Sequence, residues 1–514
     1  MLRFEVVDFL IIEIAAIVLR TWMWATEAGV WYFPDSNIYI YAHQFPVYAS
    51  SRPGAISTLW YDVTFGVFDA RALVVAQFIA GLIAVAMIYD LLRRLVHRYA
   101  ALAGGLIFAL FPMVAIYERT VMAEAFALDF LVAGFWTLAV SFMARSWWIR
   151  LPAIILALGS FGVAAVLRSA LVIPTIAVIV VGSVVWLVRE QGRRLQPLVV
   201  GRSLAALVLG GLLFAAPLEA QMNTAQTSVG LHTLNPLTGS FLAARWTKII
   251  PCTSEKATLR LVKRSLKQLC RDKRFTEQVP GYSMNLVWYA KTPIGKTVFV
   301  NHHFAQTQQE LQAIAMKAIE QHPGFVASSM AAVVANELFS TPYLDAVDYN
   351  NGYKLFAYSS YRHHPAVLKE FLQVNVKPAK GTNRLLQSMA ISTARWPQYL
   401  FWVVLAGLLV RSAWWLQGVL RRTRHTVTRD PEQSAYLWGR WAMVLAAWIF
   451  LFAYVLGIAF SAFAVFRYNL MLLPSLMILL TCVWTRPVVL NAGEHHGDDR
   501  SDSHNSVHRV ANSS

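Results

Sequence analysis

Charge is what this chain has least of. Asp, Glu, Lys and Arg together make up 14% of its 514 residues, against about 25% in soluble domains. So low a fraction excludes an ordinary hydrated enzyme surface. Acids are scarcer than bases, 28 against 45, for a net charge of +17. In a soluble protein such a balance would point to nucleic acid. Here most Lys and Arg flank long apolar runs, where the tendency of basic loops to stay in the cytoplasm explains them better. Three cysteines do not make a disulfide framework. No Gly-rich phosphate loop is present, which argues against ATP or a nucleotide-linked substrate. His302-His303 and His363-His364 lack metal-ligand spacing and a neighbouring carboxylate cluster, and read as polar loop residues. No internal repeat is visible. The first apolar run contains Asp8 and Glu13 and is followed by no small-x-small cleavage site, so it reads as a retained span.

What remains is 57% hydrophobic and carries 18 Trp: an all-α polytopic membrane protein. A span needs about 20 mostly apolar residues. About ten such runs occur, near 7–27, 72–92, 100–117, 125–143, 151–167, 170–188, 198–217, 396–416, 436–460 and 466–485. Arg93-Arg94 with His97-Arg98, Arg145 with Arg150, Arg189 with Arg193-Arg194, and the run Arg411 to Arg429 alternate with poorly basic loops. Both termini are then expected in the cytoplasm, with the loop 28–71 and the segment 218–395 outside. The domain plan is a membrane module over 1–217, an extracytoplasmic domain of mixed or mainly helical structure over 218–395, further spans over 396–485 and a disordered tail over 486–514. In the outer domain, Phe304 to Gln321 predicts a helix with Leu311, Ile314, Ala315 and Ile319 on one side. Gly324 to Phe339 is apolar but short, and is expected to lie along the membrane. Cys252 and Cys270 would close a loop of 18 residues if bridged, worth roughly 3 kcal/mol; the alternative is two free thiols. Cys482 reads as core.

Five stretches place polar groups at one expected membrane surface. Asp35 sits in Trp31-Tyr-Phe-Pro-Asp-Ser-Asn-Ile-Tyr39, among aromatics suited to the headgroup level. As a local feature it is equally a helix cap or Asx-turn. Arg52 precedes the Pro53-Gly54 turn. Glu118, Arg119 and Glu124 crowd a short turn, where buried charge is costly and usually has a task, although Glu118 and Arg119 could simply face water. Glu124 also suits the helix dipole. Arg168 stands between two spans, either snorkelling or clamping phosphate with its planar fork. Arg467-Tyr468 opens the last span. Inside the first span, Glu13 and Arg20 share a face, and pairing or closeness to the inner headgroups suits them better than chemistry.

The order of these features resembles the GT-C glycosyltransferases, and within them the bacterial branch related to protein O-mannosyltransferases and the lipid A aminoarabinose transferase. The elements are an acid with Tyr in the first outer loop, an Arg-Pro turn, an acid opening the fourth helix, Arg168 followed by Pro174, and Arg467-Tyr468 followed by Pro474. Arg168-Ser169 departs from the family's frequent Arg-Pro, and some relatives have an acidic pair where this chain has Asp35 alone. The resemblance implies a polyprenyl-phosphate sugar donor used at the outer face of a bacterial inner membrane, with inversion at the sugar. It makes Asp35 and Glu124 the catalytic acids. Arg168, Arg467 and Arg52 would bind the donor phosphate, and Tyr39, Arg119 and Tyr468 the substrates. Acceptors would be envelope glycan, lipid or protein, with no nucleic acid. Divalent cation use varies in this family and is left open. The competing readings are an O-antigen ligase or polymerase, and a lipid or sugar transporter. Transporters tend to show paired repeats and broken midplane helices, which are not evident here.

Overall fold

The computed structural model describes residues 2–26, 70–144, 146–191, 197–271, 292–298, 302–339, 399–408, 410–411, 431–461 and 470–484. Among them every regular element is a helix. In chain order these are α1 (Leu2–Thr26), α2 (Ala70–Leu95), α3 (Arg98–Ala109), α4 (Pro112–Glu118), α5 (Glu124–Met143), α6 (Trp147–Leu167), a 3-10 turn (Ser169–Leu171), α7 (Val172–Gln191), α8 (Pro197–Val229), α9 (Thr238–Arg245), α10 (Arg260–Arg271), α11 (Pro293–Lys296), α12 (Phe304–Gln321), α13 (Pro323–Phe339), α14 (Tyr399–Leu408), α15 (Pro431–Ser461) and α16 (Leu473–Trp484).

Five helices are long and apolar enough to cross a membrane by length and composition, or six if α3 and α4 make one bent span. That count covers the described residues only. The expected run 100–117 is broken: α3 and α4 meet at 46°. Pro112 is the cause, because it opens α4 and has no N–H to continue the ladder of α3. α1 falls outside the five although it has 25 residues. Its charges, Asp8, Glu13 and Arg20, count against it by composition, yet Asp8 and Arg20 are buried in ion pairs with later elements. α8 runs through Pro217 to Val229, so one helix leads from the bundle into the next segment.

One apolar core joins α1 to α7 with α14, α15 and α16. At its centre Phe135 of α5 meets Phe161 of α6 and Phe450 of α15 edge-on, at 5.6 and 5.5 Å between ring centres. The outward faces are also apolar: Leu10, Ile14 and Val18 of α1 and Leu204, Val208 and Leu212 of α8 are exposed. Backbone hydrogen bonds closed within each helix and an apolar exterior are what hydrocarbon solvent requires. The protein is thus a multi-pass membrane protein.

A second core lies beyond α8. Leu242, Trp246, Val262, Leu266, Leu311 and Ile314 pack together from α9, α10 and α12. α12 has the expected bounds, and Leu311, Ile314 and Ala315 are buried on one side while Ile319 is half-buried. Gly239 of α9 lies so close to α12 that a Cβ there would overlap the Gln308 carbonyl. Gln308 also accepts from the Ser240 N–H at 3.0 Å and donates to the Thr297 carbonyl at 2.8 Å, so the buried amide is satisfied. Cys252 and Cys270 are bridged, with 5.2 Å between their Cα atoms. Cys482 is free and buried, as the sequence suggested.

Candidate functional site

The ends of the bundle can be told apart by their contacts. At one end, Asp90 late in α2 accepts from the Trp136 indole at 2.6 Å, and Arg98 pairs with Asp8. Arg440 and Arg411 donate there to the Cys482 carbonyl at 2.7 and 2.8 Å, and Gly439 of α15 approaches Met143 at the end of α5. This end collects Arg94, Arg98, Arg150, Arg411 and Arg440. At the opposite end, Gln77 early in α2 donates to the carbonyls of Tyr117 and Thr120 at 3.2 and 3.1 Å, fixing the turn after α4.

Glu124 opens α5 from that turn, and Arg168 follows α6 in extended backbone before the 3-10 turn. The two meet: Arg168 Nη1 lies 2.9 Å from Glu124 Oε1. Their side chains are 8% and 0% exposed, so the pair is shielded from water. The contact is a charge pair rather than an aligned hydrogen bond, since neither Glu124 oxygen has hydrogen-bond geometry among the described residues. Coulomb attraction at this separation in a poorly polar interior does not need alignment.

Glu118 and Arg119 do not face water. Each is 2% exposed. Arg20 of α1 grips Glu118 with two hydrogen bonds of 2.6 Å, from Nε and Nη2, and its Nη1 donates to the Ala16 and Ala109 carbonyls. Arg20 therefore pairs with Glu118, not with Glu13 on its own helix. Gly81 of α2 makes room for this pair, as a Cβ there would overlap the Glu118 carboxylate. Arg119 Nη1 donates to the Met23 carbonyl at 2.7 Å, and its guanidinium lies 5.9 Å from the Trp24 ring centre. Asp129, one turn deeper on α5, is 9% exposed. Its only sequence signal is an acid inside an otherwise apolar run.

The second core docks at this same end. Phe460, at the far end of α15 from Met143, packs 6.0 Å from Trp246. Arg245 of α9 donates to the Ala459 carbonyl at 3.0 Å and to Ser329 of α13 at 3.1 Å, and stacks on Trp246. Burial pushes the Arg245 guanidinium down to about 10. Glu124, Arg168 and the second core thus share one end of the molecule. Of the residues expected at the site, Glu124, Arg168 and Arg119 are placed here. Asp35, Tyr39, Arg52, Arg467 and Tyr468 lie outside the described residues. Among the described residues no group of three or more His, Cys, Asp or Glu converges.

Residues 56–218 match the family model described as dolichyl-phosphate-mannose-protein mannosyltransferase. No curated protein and no solved structure matches the chain significantly. The matched stretch runs from before α2 into α8 and contains the Arg119 turn, Glu124 and Arg168; it begins after Asp35, Tyr39 and Arg52. The matched family is one of the GT-C superfamily, so over residues 56–218 the chain is similar to the GT-C membrane glycosyltransferases.

Proposed function

We propose that the protein transfers a sugar from a polyprenyl-phosphate-linked donor to a glycan, lipid or protein of the cell envelope, with inversion, on the outer face of a bacterial inner membrane. The observation that carries this reading is the buried Glu124–Arg168 pair, at the end of the bundle where the second core docks and opposite the arginine-rich end. Arginine-rich ends stay in the cytoplasm, which supports an outer location for the pair and cytoplasmic termini.

In this mechanism Asp35 takes the proton of the acceptor hydroxyl. The acceptor oxygen attacks the anomeric carbon from the face opposite the phosphate. The bond from that carbon to the phosphate oxygen breaks, and the lipid phosphate leaves as an anion. Arg168 and Arg467 neutralise the charge that grows on it, with Arg52 on the lipid side. Glu124 anchors the Arg168 guanidinium by charge, as a positioning group for that fork. Tyr39 and Tyr468 line the substrates, and Arg119 takes a buried supporting position beside them. Arg119 suits that position because its guanidinium fixes the end of α1, three residues after Met23, where the chain departs toward Asp35.

The test is transfer from a synthetic lipid-phosphate sugar by purified protein. Asp35→Asn keeps shape and caps a helix about as well as Asp, but it cannot take a proton. Turnover should fall by about 10²–10⁴-fold with the melting temperature unchanged. Near-normal transfer by a stable Asp35→Asn protein would return Asp35 to the status of a cap. Arg168→Lys keeps the charge and loses the fork, and should weaken donor binding.

A further inference from the structure

We infer that the exposed face of α10 is a docking surface for an anionic glycan chain, the charged part of the acceptor. The acceptor role rests on the transferase reading above; the docking itself does not. One face of α10 is consumed by the second core, with Val262, Ser265, Leu266 and Leu269 buried. The other presents Arg260, Lys263, Arg264, Lys267 and Arg271, all exposed. Their spacing of three and four residues makes one stripe, about 16 Å long at 1.5 Å per residue. The helix contains no acid. Among the described residues no carboxylate pairs with Arg260, Lys263, Arg264 or Lys267. Like charges one turn apart repel and weaken a helix, so folding alone does not account for the stripe. Two devices hold it rigid: the bridge from Cys270 to Cys252, and Glu310 of α12, which accepts from the Thr258 and Leu259 N–H groups just before the helix. Lys296 is also exposed, on α11, which packs against α10.

Charge complementarity calls for a polyanion, and the packing selects a chain in water over the lipid headgroups. α9 and α13 are the outer elements that rest on α15, whereas α10 packs on α11 and α12. A helix that lies in a membrane interface needs a free apolar face, and the apolar face of α10 is already buried. Carboxylate- or phosphate-bearing sugars meet a stripe of this kind without burying apolar area.

The experiment uses the full-length protein in nanodiscs of neutral lipid, titrated with fluorescent polygalacturonate and, as control, neutral dextran. At about 0.01 M salt the screening length is about 30 Å, and at about 1 M it is about 3 Å. The parent should bind polygalacturonate at low salt only, and dextran not at all. Lys263→Gln/Arg264→Gln/Lys267→Gln should bind about tenfold more weakly or worse, whereas Lys263→Arg/Lys267→Arg should bind like the parent, which separates charge from folding. Equal binding of dextran, or parental binding by the triple Gln variant, overturns the inference. So does a triple variant that loses only its binding to phosphatidylglycerol vesicles. No donor is present in this assay. Protein that binds through the stripe here, yet transfers no sugar in the separate lipid-phosphate-sugar assay described above, overturns the transferase reading and leaves the docking surface standing.

Discussion

Glu118→Gln is the sharpest perturbation of the bundle. Glu118 and Arg20 are 2% and 1% exposed, and both carboxylate oxygens accept from the guanidinium at 2.6 Å. The amide keeps the size of the carboxylate but turns one acceptor into an NH2 group that faces an N–H of Arg20. The guanidinium, with five N–H donors, would retain the Ala16 and Ala109 carbonyls at 3.3 and 3.2 Å. Removing one partner of a buried pair costs about 3–5 kcal/mol, because the other charge stays buried without compensation. Replacing both, as in Arg20→Met/Glu118→Leu, is often neutral. The double variant should therefore be more stable than Glu118→Gln alone. The measurement is reversible unfolding in mixed micelles, followed by tryptophan fluorescence, with Arg20→Met and Glu118→Leu as the single variants that close a double-mutant cycle. If Glu118→Gln costs under about 1 kcal/mol, or the double variant is no better than the single, then the pair does not hold α1 to α4 as argued.

Two further outcomes concern the second core. Cys252→Ser/Cys270→Ser opens a loop of 18 residues and should destabilise the helices of that core by roughly 3 kcal/mol, seen as faster proteolysis within 238–321 of the purified protein in detergent. For Glu310, burial raises the carboxyl's affinity for its proton, but hydrogen bonds from Thr258, Leu259 and Gln306 outweigh it and leave the pKa below its ordinary 4.5. A group depressed on folding lends stability above its unfolded value and loses it as pH falls through the folded one. The second core of the parent should thus loosen as pH drops below 4.5, and Glu310→Gln should remove that step, as followed by hydrogen exchange of α10 and α12.

Local pattern made parts of this architecture readable in advance. α5 begins at Glu124 and ends at Met143 because an acid suits its first turn and an apolar run of membrane length follows. α12 was legible because its apolar residues recur every three to four positions. The bend at Pro112 had a local signal that the apolar run concealed. Nor does Pro217 end α8, since proline in a membrane helix is tolerated when neighbours satisfy the freed carbonyl. At the site, matched depth brought Glu124 and Arg168 to one surface, but their direct pairing joins residues 44 apart in sequence and has no local signature. Arg20 and Glu118 are 98 apart. Each looks like an expensive charge until the fold supplies the other. Asp35 stays a matter of sequence and chemistry, outside both the described residues and the matched stretch.

The ion pairs of α1 also bear on how the chain is made. Synthesis runs from the N-terminus, so α1 leaves the ribosome carrying Asp8, Glu13 and Arg20 before either partner exists. Arg98 follows Asp8 by 90 residues and Glu118 follows Arg20 by 98. A charge at the centre of a lone inserted helix costs about 2.5–3.5 kcal/mol. The first helix is thus a poor independent anchor, and its lodging in the bilayer waits for α3 and α4 to arrive. A ribosome stalled before Glu118 would hold α1 at the membrane edge, and early truncations would be extracted by alkali where the complete chain is not.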